Sequence, residues 1–274
     1  YNGALISNFP PDYHLDTINI VNDVKKYNAL FARWVTNFDC KEDMPFWYVI
    51  KDSCSDMASY SRNTRNQIKK GLNSFNIRII NKSIVEEYGY EIYCAAFSKY
   101  DNYDDMLCKK DFLYSLKDDF QYWGVYSLQD SLVGFAQNKI IDDFCDYSVI
   151  KVRPEFIKLY PFYALFYTMN KYYLDDLGLR YVSDGARSIS HQTNIQDFLI
   201  NKFRFRKAFC HLNIVYHPLV RIIIYILFPF RAALCLFPFG FLRKMNIVLF
   251  QEDIRRRSVE IIHQSKILGS TLVL

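Results

Sequence analysis

Asp184, Arg187, Ser188, His191 and Asn194 crowd into one stretch, "SDGARSISHQTN", which follows the strand-like run "RYVS". A carboxylate and an imidazole can each take up and return a proton near neutral pH. In open α/β sheets ligands gather beyond the carboxyl ends of strands, where this stretch falls. Asp184, Ser188 and His191 are therefore the candidate catalytic residues, with Arg187 beside them to meet a substrate anion. Taken singly, Asp184 also reads as a turn residue and His191 as an exposed loop side chain.

Other chemistries find less support. His14, His191, His211, His217 and His263 show neither H-x-x-x-H nor H-E-x-x-H spacing, so no metal is expected. The acidic runs Asp101–Asp105 and Asp142–Asp143 lack the calcium-loop pattern. A Gly-x-Ser-x-Gly elbow is missing, which argues against a serine hydrolase. Seven scattered cysteines without C-x-x-C suggest a reducing compartment rather than a disulfide framework.

The elements that must position these residues follow from periodicity and punctuation. "FWYVIKD" (Phe46–Asp52) reads as a strand, followed by a basic helix "SRNTRNQIKKGLNSF" capped by Ser59 or Ser61 and ended near Gly71. Ile68, Leu72 and Phe75 share one of its faces, and Arg62, Arg65 and Lys69 the other. A strand at Ile77–Ile80 and helices near Val85–Tyr100 and Lys109–Phe120 come next. "YWGVYSL", "LVGFAQNKII" and "YSVIKV" are β-branched and aromatic with turn residues between them, which predicts an antiparallel meander. After Pro154 the period becomes helical in "PFYALFYTMNKYYLDDLG", with Pro161 in the first turn and Gly178 at the end. A strand "RYVSDG", a helix from about Thr193 to Phe203 and a strand "CHLNIVYH" close the unit.

This order resembles the GNAT acyltransferase superfamily. Leu199-Ile200-Asn201-Lys202-Phe203-Arg204-Phe205-Arg206 is similar to the Leu-Tyr-x-Lys-x-Gly-Phe-Lys ending of the last GNAT helix, with Ile200 where many members carry an acid tyrosine. Thr64-Arg65-Asn66-Gln67-Ile68-Lys69-Lys70-Gly71 resembles the basic helix of Fem-type transferases, and "DGARS" their turn before the last helix. Together the matches cover about Phe46 to His217. The resemblance implies a mixed, centrally splayed sheet flanked by helices. It also implies acetyl-CoA or another acyl-CoA as co-substrate, its pyrophosphate near "VRPEFIKLYPFYA". The family's glycine-rich turn is absent there. Arg153 and Lys158 would supply charge, Tyr160 and Tyr163 would pack the adenine, and Asn194 would add a polar contact. Arg65 and Arg187 would meet an anionic substrate. The acyl group would lie in a V between "LVGFAQNKII" and "YSVIKV".

Composition fits a folded α/β protein: 274 residues, 51% hydrophobic, 18% aromatic and 23% charged. The net charge of +5 is unevenly placed, because residues 202–257 hold 11 Lys and Arg against Glu252 and Asp253. From Leu219 to Leu242 the chain is strongly apolar, but Pro229 and Pro238 divide it into pieces, each with or beside a basic residue. The expectation is a segment lying on an anionic membrane surface, with a buried hairpin or dimer interface as the alternative. Three divisions are expected: 1–45 packing on the core, 46–217 the transferase domain, and 218–274 a helical C-terminal segment. The leading functional expectation is an acyltransferase acting on an amine or hydroxyl of a small molecule or glycan precursor, in the cytoplasm at the inner face of the membrane. The alternatives are a Fem-type enzyme using aminoacyl-tRNA, in which case nucleic acid is a partner, and a non-catalytic scaffold.

Overall fold

A computed structural model describes residues 3–7, 17–53, 56–98, 106–189, 194–234, 236 and 240–271. In chain order the first elements are β1 (Ala4–Ile6), α1 (Thr17–Lys26), β2 (Phe31–Cys40), β3 (Phe46–Lys51), α2 (Arg62–Ser74), β4 (Phe75–Ile80), α3 (Lys82–Phe97) and α4 (Lys109–Ser115). Then come β5 (Gln121–Ser127), β6 (Leu132–Ile141), β7 (Phe144–Val152), α5 (Pro161–Lys171), β8 (Tyr181–Ala186), α6 (Asn194–Phe203) and β9 (Arg206–Tyr216). The chain continues with α7 (Pro218–Leu227), α8 (Arg231–Leu234) and α9 (Gly240–Thr271). Two compact units result. A central unit comprises Val49–Gly185 and Asn194–Arg206, and a terminal unit comprises Tyr1–Tyr48, Ala186–Thr193 and Lys207–Leu274.

The strands lying wholly or almost wholly in the central unit run in the order β8-β7-β6-β5-β4. β4 to β7 pair antiparallel, as short turns between β-forming runs require, and β8 pairs parallel with β7 after the α5 crossover. Beneath α3 and α4 lies a core of Val85, Ile92, Tyr93, Phe112, Leu116, Tyr122 and Phe135. Ser61 caps α2, its Oγ accepting from the Thr64 N–H at 3.2 Å. Thr64, Ile68 and Gly71 form the buried stripe of that helix. Gly71 does not end α2, contrary to the sequence expectation. It sits inside the helix because a Cβ there would lie 2.5 Å from the Tyr160 carbonyl oxygen. The glycine thus serves close approach, not termination.

α5 begins with Pro161 at its first turn and buries Tyr163, Ala164, Leu165, Phe166 and Met169. It does not continue as α-helix to Gly178, because Tyr172–Asp176 form a π turn. Such turns place an extra residue in the helix and re-aim its side chains; here the turn contains Tyr173, which is fully buried.

In the terminal unit β1 pairs parallel with β2, and β2 antiparallel with β9. Ile20 and Val24 of α1 pack on Ala32 and Trp34. Farther on, Ile224 and Phe228 pack on Leu249 of α9. The apolar C-terminal stretch is broken at its first proline, where a 3-10 turn over Phe228–Phe230 separates α7 from α8. Among the described residues no helix is long and apolar enough to cross a membrane.

Candidate functional site

The opening expected between "LVGFAQNKII" and "YSVIKV" is not there. These runs, β6 and β7, pair from Gly134↔Val152 to Ile141↔Phe144, with only a bulge between Gln137 and Asn138. The short turn at Asp142–Asp143 returns the chain directly into its partner and leaves no gap. Pairing lapses instead between β7 and β8. Their parallel register runs from Phe144↔Tyr181 to Asp146↔Ser183 and goes no further. Two features separate the strands beyond that point. Val149 pairs with Gln137 and Tyr147 with Asn138, so Ser148 is the extra residue of a bulge, which bends β7. On β8, Gly185 adopts φ +81°, outside the extended range.

Asp184 is the first residue after the last pair, and Asp146 belongs to that pair. Burial pushes the Asp184 carboxyl up to about 7, and the Asp146 carboxylate adds to the shift. Burial also raises Asp146, while the Ser148 hydroxyl, donating to its Oδ2 at 2.7 Å, favours its charged form. Both carboxyls are thus raised, and it is Asp184, on β8, that is brought near neutrality, where a carboxyl can exchange a proton.

A buried polar layer adjoins these strands. The Tyr147 hydroxyl donates to Asn170 Oδ1 at 2.8 Å, and the buried Asn170 Nδ2 has no partner among the described residues. The Tyr173 hydroxyl accepts from Trp123 Nε1 at 2.8 Å and Asn138 Nδ2 at 3.2 Å, and donates to Gln121 Oε1 at 2.5 Å. Burial raises the Tyr147 and Tyr173 hydroxyls and the Cys145 thiol, so these groups stay protonated and hold position.

The other sequence-predicted residues are dispersed in role. Arg153 follows β7, its N–H bonded to the Val133 carbonyl and its guanidinium 3.1 Å from Glu91 Oε2. Lys158 is exposed. Tyr160 occupies the left-handed region at φ 64° and touches Tyr163, with ring centroids 5.8 Å apart. Tyr163 is buried against Phe198 and Phe203, a core role that leaves it little surface for adenine. Arg65 donates to the Ala58 and Tyr60 carbonyls and so fastens the turn before its own helix. Arg187, in the terminal unit, donates to the Pro45 carbonyl at 2.5 Å and lies over the Trp47 ring at 4.4 Å. Ser188 is half-buried in the same unit, and Asn194 is exposed at the start of α6. His191 lies outside the described residues. Sequence reasoning misses Asp146, although a carboxylate among the strand-forming residues of "FCDYSVIKV" is a usable signal.

A pyrophosphate would need free backbone N–H groups ahead of α5. In this segment the Phe156 N–H donates to Arg153 and the Tyr160 N–H to Ile157, Pro154 and Pro161 have none, and the Tyr163 and Ala164 N–H groups share the Tyr160 carbonyl. Most of its backbone donors are therefore missing or already bonded, which makes it a poor pyrophosphate cradle. Among the described residues no cluster of His, Cys, Asp and Glu is arranged to hold a metal ion.

No protein-family model matches the chain, and no curated protein matches it in sequence. Solved structures do. FemX, 10% identical, aligns over 78% of this chain and 73% of its own, with a TM-score of 0.53. The chain has a Fem-type, GNAT-like fold. L-PGS from Bacillus licheniformis, 9% identical, aligns over 74% of this chain and 72% of that one at a TM-score of 0.50. The ribosomal-protein-S18-alanine N-acetyltransferase from Escherichia coli, 14% identical, matches only 38% of this chain at a TM-score of 0.32, and the match spans less than two thirds, 62%, of that enzyme. Likeness of fold does not supply the activity, which must be argued from the residues where β7 and β8 part.

Proposed function

We propose that the protein is an acyltransferase in which Asp184 is the general base for attack by an amine. The observation that carries this reading is a carboxyl held near pH 7 at the point where β7 and β8 part. The amine nitrogen attacks the acyl carbonyl carbon. A C–N bond forms, the bond from that carbon to the leaving oxygen breaks, and the proton shed by nitrogen passes to Asp184. A group that titrates near neutrality can then return that proton to the leaving oxygen.

Of the two acyl donors that the resemblance implies, the scarcity of free backbone donors before α5 favours aminoacyl-tRNA over acyl-CoA. The exposed cations Arg62, Lys69 and Lys70 of α2, with Lys158, offer an RNA backbone partners that no carboxylate occupies among the described residues. Such binding weakens steeply with salt.

The test compares donors on the purified chain. Charged tRNA should bind in a salt-sensitive way, and loss of its aminoacyl label to a simple amine should be faster with wild type than with Asp184→Asn. Micromolar acetyl-CoA binding that Arg153→Ala and Lys158→Ala abolish would return the donor to acyl-CoA. A folded protein that binds neither would instead support a scaffold.

A further inference from the structure

α7 has the sequence "PLVRIIIYIL", apolar almost all round, yet only part of it is covered. Ile224, 3% exposed, faces α9 with Phe228 and Leu249. Leu219, Ile222, Ile223 and Ile226 recur at helical spacing on another side and are 66%, 57%, 43% and 57% exposed. Phe230 continues that stripe beyond the helix, also exposed. A helix clad in isoleucine on its open face needs an apolar medium against it.

Beside the stripe lies a cavity of about 780 Å³, walled by α1, β9, α7 and α9, all within the terminal unit. Its apolar lining includes Val21, Ile214 and Ile222, and its charged groups are Lys25, Arg221, Arg255, Arg256 and Glu252. Glu252 is buried and holds both Arg255 and Arg256, at 2.7 and 2.8 Å. Lys25 and Arg221 have no carboxylate partner among the described residues and are exposed. Four basic groups against one carboxylate leave the cavity net positive.

We infer that the terminal unit docks on an anionic phospholipid surface through the exposed face of α7, with a lipid phosphate seated in the adjoining basic cavity. The inference is independent of acyl transfer and of its donor. Charge complementarity selects this occupant. A twofold-related second copy would set Arg221 and its basic neighbours against their own equals, whereas phosphate headgroups neutralise them and acyl chains accept the isoleucines.

The experiment is co-sedimentation of the full chain with vesicles of phosphatidylcholine alone or with added phosphatidylglycerol. At a net cavity charge of +3, binding to the phosphatidylglycerol vesicles should be about a hundredfold stronger. Arg221→Glu should weaken it by about tenfold or more, and the double variant Ile222→Asp, Ile226→Asp should abolish it. Both variants alter exposed positions, and matching thermal unfolding would verify their folding. As a reporter independent of these variants, Tyr225→Trp should shift its emission to the blue on phosphatidylglycerol vesicles and be quenched by brominated acyl chains. Equal binding to the two vesicle types, unchanged binding by both variants, or an unshifted emission from the Tyr225→Trp protein would overturn the inference. So would a dimer in solution that Ile222→Asp dissociates.

Discussion

Replacing Asp184 with Asn should make the protein more stable and less active, and the gain in stability should depend on pH in a defined way. The folded state raises the Asp184 carboxyl from 3.8 to about 7, so it holds the proton more tightly than the unfolded chain does. The favourable contribution of that proton is complete below about pH 4 and is lost as pH rises toward 7. Above neutrality wild type must carry a desolvated charge beside Asp146, and the Asn variant need not. The full displacement corresponds to about 4 kcal/mol at the conversion of 1.36 kcal/mol per pKa unit. Water reaching the half-buried carboxyl reduces this to about 2 kcal/mol, or roughly 5 °C in melting temperature for a chain of this size. Thermal unfolding of both proteins between pH 4 and pH 8 provides the assay. The two melting temperatures should coincide at the acid end, diverge through the interval, and stay apart above it. Transferase activity of wild type should rise with an inflection near pH 7, and the variant should lose about a hundredfold or more without that inflection. A variant less stable than wild type at pH 8, or a difference that ignores pH, would refute the reasoning.

Gly71→Ala places a Cβ against the Tyr160 carbonyl, which is backbone and cannot swing away; urea denaturation should show a loss of about 1–3 kcal/mol. Tyr173→Phe removes the hydroxyl shared by Trp123, Asn138 and Gln121 and strands their buried polar atoms. It should cost about 1–3 kcal/mol and change the near-ultraviolet dichroism of Trp123. Arg187→Ala should lower the melting temperature by unfastening Pro45 and Trp47, with the Michaelis constant for the amine unchanged; a raised constant would restore Arg187 as a substrate ligand.

Local structure is readable where one chain segment determines it. The three runs of the meander form β5, β6 and β7, Pro161 opens α5, and Ser61 caps α2, because each depends on residues within a few positions. What fails depends on distant partners. Gly71 reads as a helix stop until Tyr160 is brought against it, and the parted strands cannot be assigned to β7 and β8 without knowing which pairs continue. The same holds for the site. Asp184 can be proposed from its place after an apolar run, but its raised affinity for a proton arises from burial and from Asp146. Arg65 and Arg187 read as ligands because their types suit anions, and backbone carbonyls far along the chain or in the preceding turn have taken them instead.

The interleaving of the two units bears on how the chain is made. Four crossings, after Tyr48, Gly185, Thr193 and Arg206, stitch them together, and the partner of Phe31 in β2 is Tyr216 in β9. During synthesis β2 must therefore wait, with one edge unpaired, until the whole central unit has emerged. Such a strand is an invitation to association with other nascent chains. A protein stopped before Arg206 would have neither unit complete, so expression as separate halves should yield aggregates, and slow late closure of β2 onto β9 should set the refolding rate.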